Sequence, residues 1–232
     1  MDERALMHKI LMGEFPFTLP HLEQYLHQGE ELRLFAGEKL DQSIIERKFL
    51  LYVWQGKGAC VITRPDRTTF RFLTMGEKIT CFSNIITPYT EYSQSWDIMA
   101  LENTVLVAFA KEQVYAFLKE DPVLSEEYME FASTYHTVMQ RRVLLTANLT
   151  SSQRVLTWLY GLCGGCCDRQ TCEIPCTLNQ QEIADILLVH ISTCNKIFAW
   201  LQENGVAAKT KSKLCIDVPK LRQYIMNDWK IY

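Results

Sequence analysis

Apolar residues alternate with polar ones in short bursts through the first half of the chain: Leu32 and Leu34, then Phe70 and Phe72, then Val105, Val107 and Phe109. A period of two puts successive side chains on opposite faces of an extended strand, so these bursts predict β-strands with one buried face. Glycine turns separate them at Ala36-Gly37-Glu38, Gln55-Gly56-Lys57-Gly58 and Met75-Gly76-Glu77, with Gly37, Gly56 and Gly76 spaced 19 and 20 residues apart. Strands punctuated so regularly predict an antiparallel sandwich, roll or barrel.

The period then changes. Lys111 to Lys119 carries Val114, Phe117 and Leu118 at helical spacing, and Asp121-Pro122 supplies an N-cap followed by proline at the first helical position. Beyond it Leu124, Tyr128, Phe131, Tyr135, Val138, Arg142, Leu145 and Leu149 follow at steps of 4, 3, 4, 3, 4, 3 and 4, a heptad seam. Such a stripe packs either on its own sheet or on a second copy; its narrowness and length favour the second copy, a homodimer.

Periodicity restarts after Thr150-Ser151-Ser152 with Val155, Leu156, Leu159 and Leu162. Asn179 and Glu182 have capping-box spacing before a helix carrying Ile183, Ile186 and Leu187. After Leu188-Val189-His190, another helix carries Cys194, Ile197 and Leu201 before Glu203-Asn204-Gly205 stops it, which predicts a helix-turn-helix. Ser192, Asn195, Lys196 and Ala199 then share the opposite face. Small, polar and basic side chains at a helix N-terminus suit a major groove: Asn195 and Lys196 reach base edges, while His190, Ser192 and Thr193 sit among the bases and phosphates. Lys209, Lys211 and Lys213 alternate before the strand-like Leu214-Cys215-Ile216, placing ammonium groups for phosphate contact. Residues 188–213 hold four lysines against Glu203, a local +3 in a chain of net charge −3.

With 48% apolar and 22% charged residues among 232, the chain is long and apolar enough to fold as one larger and one smaller domain. No apolar run approaches the roughly 18 residues of a membrane span, and MDERALMHKI lacks the apolar core of a secretory signal, so a cytoplasmic protein with no membrane partner is expected. Nine cysteines, an odd number, fit reduced thiols better than a secreted disulfide framework. Five of them, Cys163, Cys166, Cys167, Cys172 and Cys176, crowd one glycine-containing loop. Three readings stay open there: a zinc ion or iron-sulfur cluster held by thiolates, a reversible thiol switch such as Cys163 with Cys172, or an unmetallated loop. Haem would need an axial ligand such as His136, Cys60 or Cys81. No phosphate-binding glycine loop, H-E-x-x-H or G-x-S-x-G motif is present, so no enzyme is expected.

The order of strands, long heptad helix and helix-turn-helix resembles the Crp/Fnr transcription regulators over essentially the whole chain. Residues 182–205, EIADILLVHISTCNKIFAWLQENG, are similar without a gap to that family's E-I-A-x-x-x-G-x-x-x-x-T-V-S-R-x-L-x-x-L-x-x-x-G, and the opening Ser152-Gln153-Arg154-Val155-Leu156 matches too. The resemblance implies an α+β fold: an N-terminal antiparallel β-roll, cupin-like and cyclic-nucleotide-binding-domain-like, over 1–120, a dimerisation helix over 121–149 and a winged helix-turn-helix over 150–232. It implies a homodimer on palindromic double-stranded DNA, with Ser192, Asn195 and Lys196 at the base-reading positions, Thr193 on phosphate, and RNA polymerase as a partner if the protein activates. The chain departs from the pattern at Leu188, where the family has its turn glycine, and at Lys196, where it has arginine. No arginine occurs from Phe72 through Ser125, leaving only Lys78 or Lys111 to meet a cyclic phosphate, and Cys60 is the first cysteine, so neither a cyclic nucleotide nor the N-terminal iron-sulfur site is expected. Either an unknown small molecule or a redox or metal signal is then the effector. The competing reading is a haem or iron-sulfur redox protein with its cofactor at residues 163–176.

Overall fold

A computed structural model describes residues 8–15, 17–63, 69–82, 95–164 and 170–226. The chain divides into two compact units, Gly13–Met139 on the one hand and Met1–Met12 with Gln140–Tyr232 on the other.

In the first unit β1 (Glu30–Leu34), β7 (Thr104–Phe109), β2 (Leu50–Gln55) and β5 (Thr80–Phe82) form one sheet in that order, and β4 (Thr69–Met75), β3 (Gly58–Thr63) and β6 (Ser95–Ala100) form another. Every strand pairing is antiparallel. The outer strand β1 keeps the expected partial exposure, but the inner strands do not alternate: Leu50 to Val53 and Leu106 to Phe109 are buried residue after residue. Their outer face is covered by α2 (Lys111–Glu120), whose Phe117 ring meets Phe109 at 5.8 Å and stacks on Tyr25 at 4.3 Å. A short helix α1 (Gln42–Arg47) and a 3-10 turn over Pro20–Gln28 complete the connections.

Two of the three glycine turns follow the expected chemistry. Gly56 takes φ of 86°, and a Cβ there would lie 2.4 Å from the Asn103 carbonyl oxygen, so both dihedral and space require glycine. Gly37 takes φ of 84°. In the third turn the left-handed residue is Lys78, at φ 65°, and Gly76 is not left-handed.

The long helix α3 spans Pro122–Asn148, and the Asp121 carboxylate caps it by accepting from the Val123 and Leu124 amides at 3.0 Å each. Here the heptad seam turns out otherwise than expected. Leu124, Phe131, Tyr135 and Val138 are buried within their own unit. Phe131 meets Phe82 at 5.0 Å and Phe17 at 5.6 Å, and Tyr135 meets Phe82 at 5.3 Å and Phe15 at 5.5 Å. Three aromatic rings, Phe15, Phe17 and Phe82, supplied by the strands and the segment leading into them, thus cover the stripe at Phe131 and Tyr135. The side chains of Arg142 and Leu145 lie outside the described residues. A different line of the helix stays outside: Met129 is 71% exposed, His136 is exposed, and Ala132 and Met139 are half-buried, at steps of 3, 4 and 3.

The start of α3 is also tied to the 3-10 turn by His21, whose Nδ1 lies 2.7 Å from Glu127 Oε1 while its backbone N–H donates to Glu127 Oε2. The hydrogen bond to Glu127 raises the imidazole above its ordinary pKa. A group whose pKa is raised on folding contributes stability below its unfolded value, and that contribution disappears as pH rises through the folded value. Wild type is therefore expected to lose melting temperature relative to His21→Gln as pH is taken from about 5.5 to about 8.5; because the pair is exposed, the difference is small. Parallel melting curves across that range would refute the pair's contribution.

In the second unit α4 (Ser151–Leu162) begins with a reciprocal cap: Thr150 Oγ1 accepts from the Gln153 amide, and Gln153 Oε1 accepts from the Thr150 amide. Then come β8 (Thr171–Pro175), α5 (Gln180–Leu187), α6 (Ile191–Glu203), the hairpin β9 (Ala207–Lys209) and β10 (Lys213–Asp217), and α7 (Val218–Met226). The three strands form one antiparallel sheet in the order β8-β10-β9. Val155, Leu159, Ile183, Cys194, Leu201 and Leu214 are wholly buried at its centre. Leu11 packs on this core, and its carbonyl accepts from Trp158 Nε1 at 2.6 Å. Among the described residues no single helix is long and apolar enough to cross a membrane.

Candidate nucleic-acid interface

The axes of α5 and α6 meet at 109° across the residues between them, inside the roughly 90–120° range of helix-turn-helix pairs. Local chemistry fixes both ends of α5. Asn179 Oδ1 accepts from the Glu182 amide at 2.9 Å and Glu182 Oε2 accepts from the Asn179 amide at 2.8 Å, the predicted capping box. At the other end Leu188 takes φ 52° and ψ 42°, the left-handed conformation that glycine takes without penalty. The turn keeps its geometry despite the missing glycine.

Arg154, on α4, shows how. Its guanidinium donates from one terminal nitrogen to the Leu187 and Leu188 carbonyls, at 3.0 and 2.9 Å, and from Nε to the Leu149 carbonyl at 3.2 Å. Partial burial lowers its pKa from the usual arginine value, yet a guanidinium stays charged in proteins. The strained turn is thus clamped by one cation on three carbonyls. Sequence reasoning assigned Arg154 no task, although the Ser152 to Leu156 match contained it.

Helix α6 presents the face expected of it. Cys194, Ile197, Phe198 and Leu201 are buried, while Ser192, Asn195, Lys196 and Ala199 are exposed and Thr193 is half-exposed. Burial pushes the Cys194 thiol up to about 12, which makes it an inert core residue. His190 is exposed and is the N-cap: its Nδ1 accepts from the Ser192 amide at 3.3 Å and lies 2.8 Å from Ser192 Oγ. That contact orients Ser192, the first polar side chain of the exposed face.

The lysine wing is less uniformly basic than its sequence. Lys211 is exposed at the hairpin tip and Lys209 Nζ donates to the Thr210 carbonyl at 3.1 Å. Lys213 Nζ lies 3.0 Å from Glu173 Oε2 on β8, and this hydrogen bond raises the lysine's pKa. Counting only residues 188–213 overlooked Glu173, which strand pairing brings beside Lys213 from forty residues away.

Three of the five loop cysteines fall among the described residues. Cys163, Cys172 and Cys176 are buried as free thiols in the apolar core, while Cys166 and Cys167 lie outside the described residues. Cys172 is on β8 and Cys176 follows its end, so four extended residues hold them about 13 Å apart, too far to ligate one ion together. Among the described residues no three His, Cys, Asp or Glu side chains converge for a metal. Of the haem-ligand candidates, His136 is on the exposed side of α3, whereas Cys60 and Cys81 are wholly buried inside the roll. Lys78 is paired with Glu23 at 3.3 Å, and Lys111 stands over the Tyr115 ring at 5.4 Å.

Residues 153–224 match the Crp-like helix-turn-helix domain. No curated protein matches the chain. Among solved structures, CprK complexed with OCPA is 20% identical over 92% of this chain and 97% of its own, with a TM-score of 0.75. A CooA mutant from Carboxydothermus hydrogenoformans is 16% identical over 92% and 98%, with a TM-score of 0.72. FixK2 from Bradyrhizobium japonicum is 13% identical over 84% and 96%, with a TM-score of 0.55. Identities this low establish a shared fold, and the domain match falls on the helix pair and wing described above. Residues 153–224 are thus similar to the Crp-like helix-turn-helix domain, within a chain that shares its fold with CprK and CooA.

Proposed function

We propose that the chain is a homodimeric transcription regulator that reads a palindromic DNA site with Ser192, Asn195 and Lys196 of α6. Thr193, Lys209 and Lys211 contact phosphates, and His190 sets the helix start. The observation that carries this reading is the polar face of α6, exposed opposite a buried apolar one, in a helix pair at 109°. Lys213, held by Glu173, contributes less to phosphate binding than its neighbours.

The dimer forms along the outer line of α3 through Met129, Ala132, His136 and Met139, in place of the seam that the roll buries. A cytoplasmic location fits a DNA-binding role, and RNA polymerase is a further partner if the protein activates. The effector is a small molecule, as CprK, which shares this fold over 92% of the chain, is complexed with OCPA, or else a redox or metal signal.

Specific binding is tested by selecting sites from random duplexes and measuring affinity against salt. Lys196→Ala is expected to lose about 1–3 kcal/mol per half-site against the selected sequence while nearly keeping its non-specific affinity. Equal affinity of wild type and variant for the selected site would remove Lys196 from base reading. Failure to select any sequence would overturn the reading as a whole.

A further inference from the structure

The DNA-binding reading leaves unused a group of sulfur atoms inside the roll. Cys60 on β3, Met75 at the end of β4 and Cys81 on β5 all have zero exposure, and they come from both sheets. Cys60 Sγ lies 4.0 Å from Met75 Sδ. The Cys60 thiol is also hydrogen-bonded to Cys81, and that contact together with burial holds it well above the ordinary thiol range. Beside them stands the Tyr135 hydroxyl of α3, buried and without a hydrogen-bond partner among the described residues. Burial first, and then the nearness of both thiols, push its pKa up.

We propose that Cys60, Cys81 and Met75 form a three-sulfur site for copper(I) between the two sheets of the roll. A trigonal ion with metal–sulfur bonds of about 2.3 Å places its sulfurs about 4 Å apart, the separation that Cys60 and Met75 already have. Thiolate and thioether ligands select the soft monovalent ion, whereas zinc prefers four ligands drawn from thiolate, imidazole and carboxylate. Among the described residues no His, Asp or Glu joins Cys60 and Cys81 to make a cluster of three such ligands. Binding displaces the thiol protons, and each thiolate formed becomes an acceptor for the Tyr135 O–H, which has none while the sulfurs are thiols. The metal would then tie β3 and β4 of one sheet to β5 of the other, directly beneath α3.

The full chain, prepared without oxygen, is titrated with copper(I) against a chromophoric copper(I) chelator, and bound copper is counted by elemental analysis. Because other cysteines also bind copper, the informative quantity is a difference. Cys60→Ala and Cys81→Ala, checked as folded by their melting curves, are each expected to retain one equivalent fewer than wild type. Met75→Leu, which keeps the packing, is expected to retain that equivalent at about tenfold weaker affinity, with one sulfur fewer around copper by X-ray absorption. Equal copper retention by wild type and the folded cysteine variants overturns the site, as does an unchanged sulfur count in Met75→Leu. Tighter retention of zinc than of copper by the same three residues overturns the choice of ion. None of these readouts depends on DNA binding.

Discussion

Arg154→Ala is expected to destabilise the helix-turn-helix unit by about 3–5 kcal/mol, because one guanidinium donates to three backbone carbonyls there. A hydrogen bond from a charged donor contributes about 1.5–3 kcal/mol, and water regained by the freed carbonyls keeps the sum below three times that. The carbonyls belong to Leu149, Leu187 and Leu188, so the same side chain ties the entry to α4 to the end of α5 and the left-handed residue after it. Removing it releases a conformation that costs a non-glycine residue roughly 1–2 kcal/mol. Arg154→Lys should fall between wild type and alanine, since a single ammonium cannot span the fork. Leu188→Gly provides the contrast: relief of the left-handed strain is offset by about 0.4–1 kcal/mol of unfolded-chain entropy, leaving a change under about 1 kcal/mol. Urea unfolding followed by circular dichroism measures all three. A loss below about 1 kcal/mol in the alanine variant would show that the turn stands without its clamp.

What the sequence made legible was whatever local chemistry determines. The capping box at Asn179 and Glu182, the buried and exposed faces of α6 and the Asp121 cap each depend on residues within a few positions of one another, and each appears in the structure. The strands were found less completely, because β2 is covered on both faces and loses the alternation that marks a half-buried strand. Long-range pairings were invisible. Glu173 neutralises Lys213, and Arg154 reaches the turn from thirty-three residues away. In the cysteine loop, closeness in sequence implies closeness in space in a coil, but along β8 it stretches Cys172 and Cys176 apart. Cys60, Met75 and Cys81, by contrast, are brought together only by the packing of two sheets.

The heptad on α3 shows the same limit, and it leads to the second large effect. Periodicity identified a helix with an apolar stripe but not what covers the stripe, and Phe15, Phe17 and Phe82 cover it. The dimer proposed above then uses the outer line, where Met129 is 71% exposed. Met129→Glu should leave the protomer's own stability within about 0.5 kcal/mol, as an exposed substitution does. In a two-fold dimer it removes two apolar side chains from the interface, about 3–6 kcal/mol in all, and sets two carboxylates against each other. Sedimentation should show the dimer dissociation constant rising by about 100-fold or more. Affinity for a palindrome should fall with it, since each protomer would hold its half-site without the other's effective concentration. Phe131→Glu separates the two stripes: buried against the roll, it should unfold the first unit rather than yield a folded monomer. A Met129→Glu protein that sediments as wild-type dimer would move the interface off this face of α3, and a folded, monomeric Phe131→Glu would return it to the inner seam.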